Sequence, residues 1–107
     1  MAEVTPLRGQ LWWINFDGPA GRRPVIIVSN NGRNRALDSV LVIPLTTAPR
    51  PAMSTVVDMT HQDGPGGRAM CDNIREVPKT RLAAQAGALT PATLRKIEHG
   101  LRDALGL

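Results

Sequence analysis

Between residues 9 and 47 the chain turns apolar in three short bursts, each bounded by glycine, proline or charge. "GQLWWINF" (9–16) alternates, with Trp12, Ile14 and Phe16 on one face and Leu11 and Trp13 on the other, which is the period of a strand. "DGPAG" after it is a turn composition. "RPVIIVSN" predicts a second strand, with Pro24 near its start, where a missing N–H is tolerated. "NGRNRALD" reads as a polar loop, and "SVLVIPLTT" (39–47) as a third, buried strand. "APRPAM" is a proline-broken connection, "STVVDM" a fourth strand, "THQDGPGG" a long flexible turn and "RAMCDNIREV" (68–77) a fifth strand. A short helical turn is predicted from Pro78, and "QAGAL" is a last short strand. The pattern then changes period. In "TPATLRKIEHGLRDALG", Thr90 can cap and Pro91 takes the first helical position, where no N–H is needed. Leu94, Ile97, Leu101 and Leu105 follow on one helical face, and Gly106 closes the helix. Gly100 within it weakens the helix by ~1 kcal/mol against alanine, so it marks close packing. The expected architecture is mainly β: one small antiparallel domain over 1–107, its first seven residues loose, with an amphipathic C-terminal helix laid across it.

Composition narrows the class of partner. Apolar residues make up 42% of 107, enough for one modest core. The longest apolar run falls far short of the ~20 residues that span a bilayer, so no membrane is expected. No charged-then-apolar segment precedes Arg8, which predicts no export. The lone Cys71 cannot form an internal disulfide and suits a reducing cytoplasm. Net charge is +4 with a pI near 10.6, which favours an anionic partner. Eleven of the thirteen basic residues are arginine, whose planar fork of donors fits phosphate. Four of them, Arg22, Arg23, Arg33 and Arg35, crowd the ends of the second strand, with Asp17 and Asp38 the nearest acids.

Several chemistries lack their parts. His61 and His99 stand alone and Cys71 has no ligand at zinc spacing, so neither metal nor cofactor is expected. "GPGGR" lacks the Lys-Ser or Lys-Thr that completes a phosphate-binding loop. Cys71 alternates within a strand and reads as a buried small residue rather than a nucleophile. Trp12, Trp13 and Phe16, with no tyrosine, supply too few rings for a base-stacking sheet. Arginine and hydroxyl remain. Arg23 at one strand end and Thr46 and Thr47 at the end of another could converge on one phosphate. A solvated strand-edge arginine and threonines chosen for β-propensity fit the same spacing.

In order along the chain, "RGQLWWINFD", "GRRPVIIVSN", "VIPLTT", "CDNIREVPKTRL", "GAL" and the closing "LGL" resemble the MazF/PemK (Kid) toxins of toxin–antitoxin systems, from about Arg8 to Leu107. The resemblance implies a small SH3-like antiparallel β-barrel that forms a cytoplasmic bacterial homodimer. It also implies metal-independent cutting of single-stranded RNA at short motifs, blocked by a cognate antitoxin with an acidic, partly disordered tail. The family's catalytic arginine falls on Arg23 and its threonine on Thr46. The implied reaction is attack of the ribose 2′-hydroxyl on its own 3′-phosphate, giving a 2′,3′-cyclic phosphate and a 5′-hydroxyl. Asp17, Arg22, Asn30, Arg33, Thr47 and Asn73 are the expected RNA contacts, with Asn30, Thr47 and Asn73 reading bases. His61 has no role in the pattern and reads as surface. The chain departs from its relatives in a short "DGPAGR" loop with no glutamate, and in Asn73 where they carry glutamine. Two other classes share the fold: a CcdB-like poison of DNA gyrase that cuts nothing, and a silent nucleic-acid-binding module. The end "LRDALGL" lacks the tryptophan expected of the former.

Overall fold

A computed structural model describes residues 5–15 and 21–107. Apart from Gly21, the expected "DGPAG" turn lies outside these, as does Asp17. Among the described residues, seven strands form one antiparallel sheet: β1 (Gln10–Asn15), β2 (Arg22–Ile27), β3 (Ser39–Thr46), β4 (Val56–Asp58), β5 (Arg68–Met70), β6 (Arg75–Pro78) and β7 (Leu82–Ala88). Their order is β4-β5-β3-β2-β1-β7, with β6 also on β3. The two ends of that order, β4 and β7, do not pair, so the barrel is open: a bent sheet rather than a closed cylinder.

The apolar runs of β2 and β3 are continuous because both faces of the sheet are covered. Val25 and Ile27 join Trp12, Ile14, Val40, Val42 and Val77 in one cluster. Ile26, Val28 and Ile43 alternate to the other face and pack with Leu11, Val57, Cys71 and Ile97 beneath the C-terminal helix. Of the tryptophan pair, Trp12 is buried and Trp13 is half-exposed under the Arg22 guanidinium, 5.7 Å from its ring centre. In the segment expected to be loose, Pro6 is buried and the Leu7 N–H donates to Gln10 Oε1 at 2.9 Å.

Two elements differ from expectation. The predicted loop after β2 contains a short helix, α1 (Asn31–Ala36). Asn30 caps it by accepting the Arg33 N–H at 2.8 Å. Asn34 is fully buried and bonds to Ser29 through both its amide atoms. Six residues are too few to show a helical period, which is why the polar composition alone suggested a loop. The predicted fifth strand is two strands. Its residues 68 to 75 run opposite residues 46 to 42 of β3, three more than an unbroken ladder uses. The excess bulges out between Met70 and Arg75, closed by the Asn73 N–H donating to Met70 O (3.1 Å) and anchored by the Cys71 N–H donating to Thr55 O (2.9 Å). Cys71 is buried as expected, and burial, then the charge of Asp72, pushes its thiol up to about 11, so it is no nucleophile at neutral pH.

The expected turn at Pro78 is a 3-10 turn over Lys79–Arg81, and the last strand starts earlier than "QAGAL", at Leu82. The C-terminal helix, α2 (Pro91–Leu105), has the expected caps: Thr90 accepts the Thr93 N–H at 3.2 Å and Gly106 is left-handed. Ile97 is fully buried, Leu94 and Leu101 are half-buried, and Leu105 at the end of the stripe is exposed. Gly100 faces the sheet, where a Cβ would sit 2.6 Å from Cys71 Sγ and 2.9 Å from Ser54 O. Gly100→Ala is therefore expected to destabilise the protein by about 1–3 kcal/mol through overpacking, against the ~1 kcal/mol gained in helix propensity. A urea midpoint equal to or above the wild type's contradicts this packing.

Candidate active site: a basic groove at the open strand ends

The face carrying Trp12, Val25 and Val42 runs out at one end into a groove of about 550 Å³. Its floor continues the apolar face through Ile14, Val25, Val42 and Pro44. Pro44 has no N–H to donate, and it sits in the gap between the part of β3 paired to β6 and the part paired to β5. Around the rim stand Arg23, Thr46, Arg50, Asn73, Arg75 and Arg81.

Strand alternation brings the first two to one face. Val25 lies opposite Pro44, the last pair of the β2–β3 ladder toward this end. Arg23 and Thr46 each lie two residues beyond that pair, on the same side as Val25 and Pro44, and both line the groove. Gly67, at φ +117°, lets β5 enter beside Thr46: a Cβ there would lie 2.7 Å from Thr46 O.

Donors dominate this rim. The Thr46 hydroxyl oxygen accepts the Ala48 N–H at 3.1 Å, which leaves its hydrogen free to donate. The side chains of Arg23 and Arg50 have no hydrogen-bond or ion-pair partner among the described residues. Arg75 donates through Nε to Asn73 Oδ1 at 3.1 Å, and Arg81 donates to Asn15 O at 3.4 Å. Glu76, the single acid among the groove's described lining residues, is already engaged, by Arg33 Nη2 (3.2 Å) and Ser39 Oγ (2.7 Å). Such a site attracts an anion with several acceptor oxygens. No group of three or more His, Cys, Asp or Glu among the described residues is placed to hold a metal ion. Among the described residues no helix is long and apolar enough to cross a membrane.

Of the residues singled out from sequence, the fold brings Arg23, Thr46 and Asn73 together. Thr47 is exposed just past the end of β3, outside the groove lining. Arg22 turns the other way, over Trp13. Asn30 and Arg33 belong to α1, one as its cap and the other holding Ser39 and Glu76. His61 is exposed, and Asp17 lies outside the described residues. Arg50, Arg75 and Arg81 escaped the sequence reading. Only Arg75 carried a signal, because Asn73, Arg75 and Val77 share an alternating phase.

Fold and groove together define a small open antiparallel β-domain with an arginine-rimmed site at its strand ends. Residues 7–105 match the model of the PemK-like, MazF-like toxin of type II toxin–antitoxin systems, and the chain belongs to that family. The endoribonuclease MazF4 of Mycobacterium tuberculosis is 42% identical over 102 residues, covering 95% of this chain and 94% of the relative. A solved mycobacterial endoribonuclease in complex with its cognate antitoxin superposes with a TM-score of 0.86 at 42% identity, covering 95% of this chain and 96% of that one. The MazF of a Deinococcus radiodurans MazE–MazF complex shares the fold at TM-score 0.84 and 24% identity, covering 98% and 99%.

Proposed function

We propose that this chain is a metal-independent endoribonuclease toxin that cuts single-stranded RNA at a short motif. The observation that carries the reading is that Arg23 and Thr46 both stand at the rim of one basic groove. The ribose 2′-hydroxyl attacks its own 3′-phosphate, a new P–O2′ bond forms, and the P–O5′ bond breaks. The 2′-hydroxyl loses its proton and the 5′ oxygen takes one up, leaving a 2′,3′-cyclic phosphate and a 5′-hydroxyl. Charge builds on the non-bridging oxygens of the five-coordinate state. There the Arg23 fork and the Thr46 hydroxyl donate hydrogen bonds without reorganising, and each such donor is commonly worth ~10²–10³ in rate. The role of Arg23 is charge stabilisation, its planar fork of donors matching the non-bridging oxygens. Arg50 and Arg81 hold neighbouring phosphates, and Asn73 faces a base.

An acidic antitoxin tail suits the same groove and would fold as it binds; the 42% identical relative solved with its cognate antitoxin supports such a partner. A homodimer in the cytoplasm completes the reading, with two grooves side by side. One 2′-deoxynucleotide placed 5′ of the scissile phosphate is expected to abolish cutting of an otherwise good oligonucleotide. Cutting at an undiminished rate would rule out the 2′-hydroxyl as nucleophile.

A further inference from the structure

The excursion between β5 and β6 carries one side-chain pair whose chemistry is more specific than charge. Arg75 Nε donates to Asn73 Oδ1 at 3.1 Å. Since Nε–H can only donate, the atom it meets must be the amide's oxygen, which settles which way round the Asn73 amide lies. Its Nδ2 hydrogens are then turned away from Arg75. The two Arg75 Nη groups make no hydrogen bond to a described residue, so the pair presents chiefly donors to the groove.

The support behind it is firm. Cys71 fixes the excursion from within the core, the Asn73 N–H bonds to Met70 O, and Arg75 lies in the β6 ladder opposite Val42. Pro44 and Met70, both half-buried in the groove lining, give an apolar surface beside it for the face of a base. Glu76, the acid in the groove's described lining, is held by Arg33 and Ser39.

We propose that Arg75 is a positioning residue that locks the Asn73 amide, and that this donor-rich pair reads a guanine through its N7 and O6. Guanine presents two adjacent acceptors on that edge, whereas adenine pairs N7 with an amino donor and cytosine presents an amino group. In single-stranded RNA such edges are open to side chains. The inference rests on the ribonuclease reading and adds to it the base class recognised and the residue that enforces it.

The test uses the full-length protein and an oligonucleotide carrying the wild-type motif, with each guanine replaced in turn by 7-deazaguanine, which lacks N7, or by inosine, which keeps N7 and O6. At one position 7-deazaguanine is expected to lower kcat/KM by about tenfold, while inosine changes it little. In Asn73→Asp and Arg75→Gln that discrimination should shrink toward unity, with melting temperatures at the wild-type value. Where a variant cuts too slowly to time, the same ratio is read from binding of labelled oligonucleotides. A motif without guanine, or an undiminished 7-deazaguanine effect in both variants, overturns this inference and leaves the ribonuclease reading intact. A wild-type protein that cuts no RNA overturns both.

Discussion

Arg23→Ala should leave a folded protein that binds RNA but no longer cuts it, with the rate falling by at least ~10²–10³. The side chain is exposed at the start of β2 and has no partner among the described residues, so its loss disturbs no packing or hydrogen bond there. What disappears is a preorganised charge at the phosphate. Binding should weaken by about one phosphate contact, which lowers the salt slope for a single strand by ~0.7. Arg23→Lys is expected to restore binding more than cutting, because an ammonium supplies charge without the two-pronged geometry. Time courses on a cut oligonucleotide and binding titrations across salt concentrations separate the two effects. A mutant that cuts at the wild-type rate would remove Arg23 from the site.

The second large effect lies away from the groove. Asp63 is fully buried, and its carboxylate accepts four hydrogen bonds: from the Thr60 N–H and hydroxyl (both 2.8 Å), the Thr90 N–H (2.7 Å) and the Thr93 hydroxyl (2.9 Å). Thr90 is the cap of α2, so this carboxylate fastens the 60–63 turn to the start of the helix that covers one face of the sheet. Asp63→Ala leaves four donors without their acceptor and is expected to destabilise the fold by about 3 kcal/mol or more, a large share of the ~5–15 kcal/mol typical of a domain. Asp63→Asn should fall between, since its amide group would face donors. Burial alone would raise the Asp63 pKa, but the hydrogen bonds from Thr90, Thr60 and Thr93 outweigh it and hold the carboxyl below its ordinary 3.8. Because the folded value is the lower one, this contribution is complete above about 3.8 and is lost as pH falls through the folded value. Urea unfolding across acidic pH should therefore show a wild-type loss of stability below pH ~4 that is flatter in Asp63→Ala. Equal stability of the two proteins at pH 7 contradicts the latch.

The same residue shows where sequence reading stops. Within "THQDGPGG", Asp63 reads as one more polar turn residue, because the partners that bury it, Thr90 and Thr93, lie some thirty positions on. The helix α2 was legible down to both caps, since Thr90, Pro91 and Gly106 act locally. So were the runs of β2 and β3, whose burial on both faces leaves no polar alternation. The break between β5 and β6 was not, because it depends on Cys71 entering a core built by other elements. Arg23 and Thr46 were one of two readings of their strand ends, the resemblance assigned them roles, and both line the groove. Arg50 and Arg81 carry no local mark that separates them from the solvated arginines of this chain. Asn30 and Arg33 looked like RNA contacts, yet their side chains serve α1 and its junction with β3.

The most direct test incubates the purified protein, free of antitoxin, with a long RNA of varied sequence in EDTA, and maps every new end, with Arg23→Ala alongside. Cuts at one recurring motif, bearing 5′-hydroxyl and cyclic-phosphate ends and missing from the mutant lane, are the predicted result. RNA left intact by a folded wild-type protein would contradict it, and would point to a toxin that acts by binding rather than by cutting.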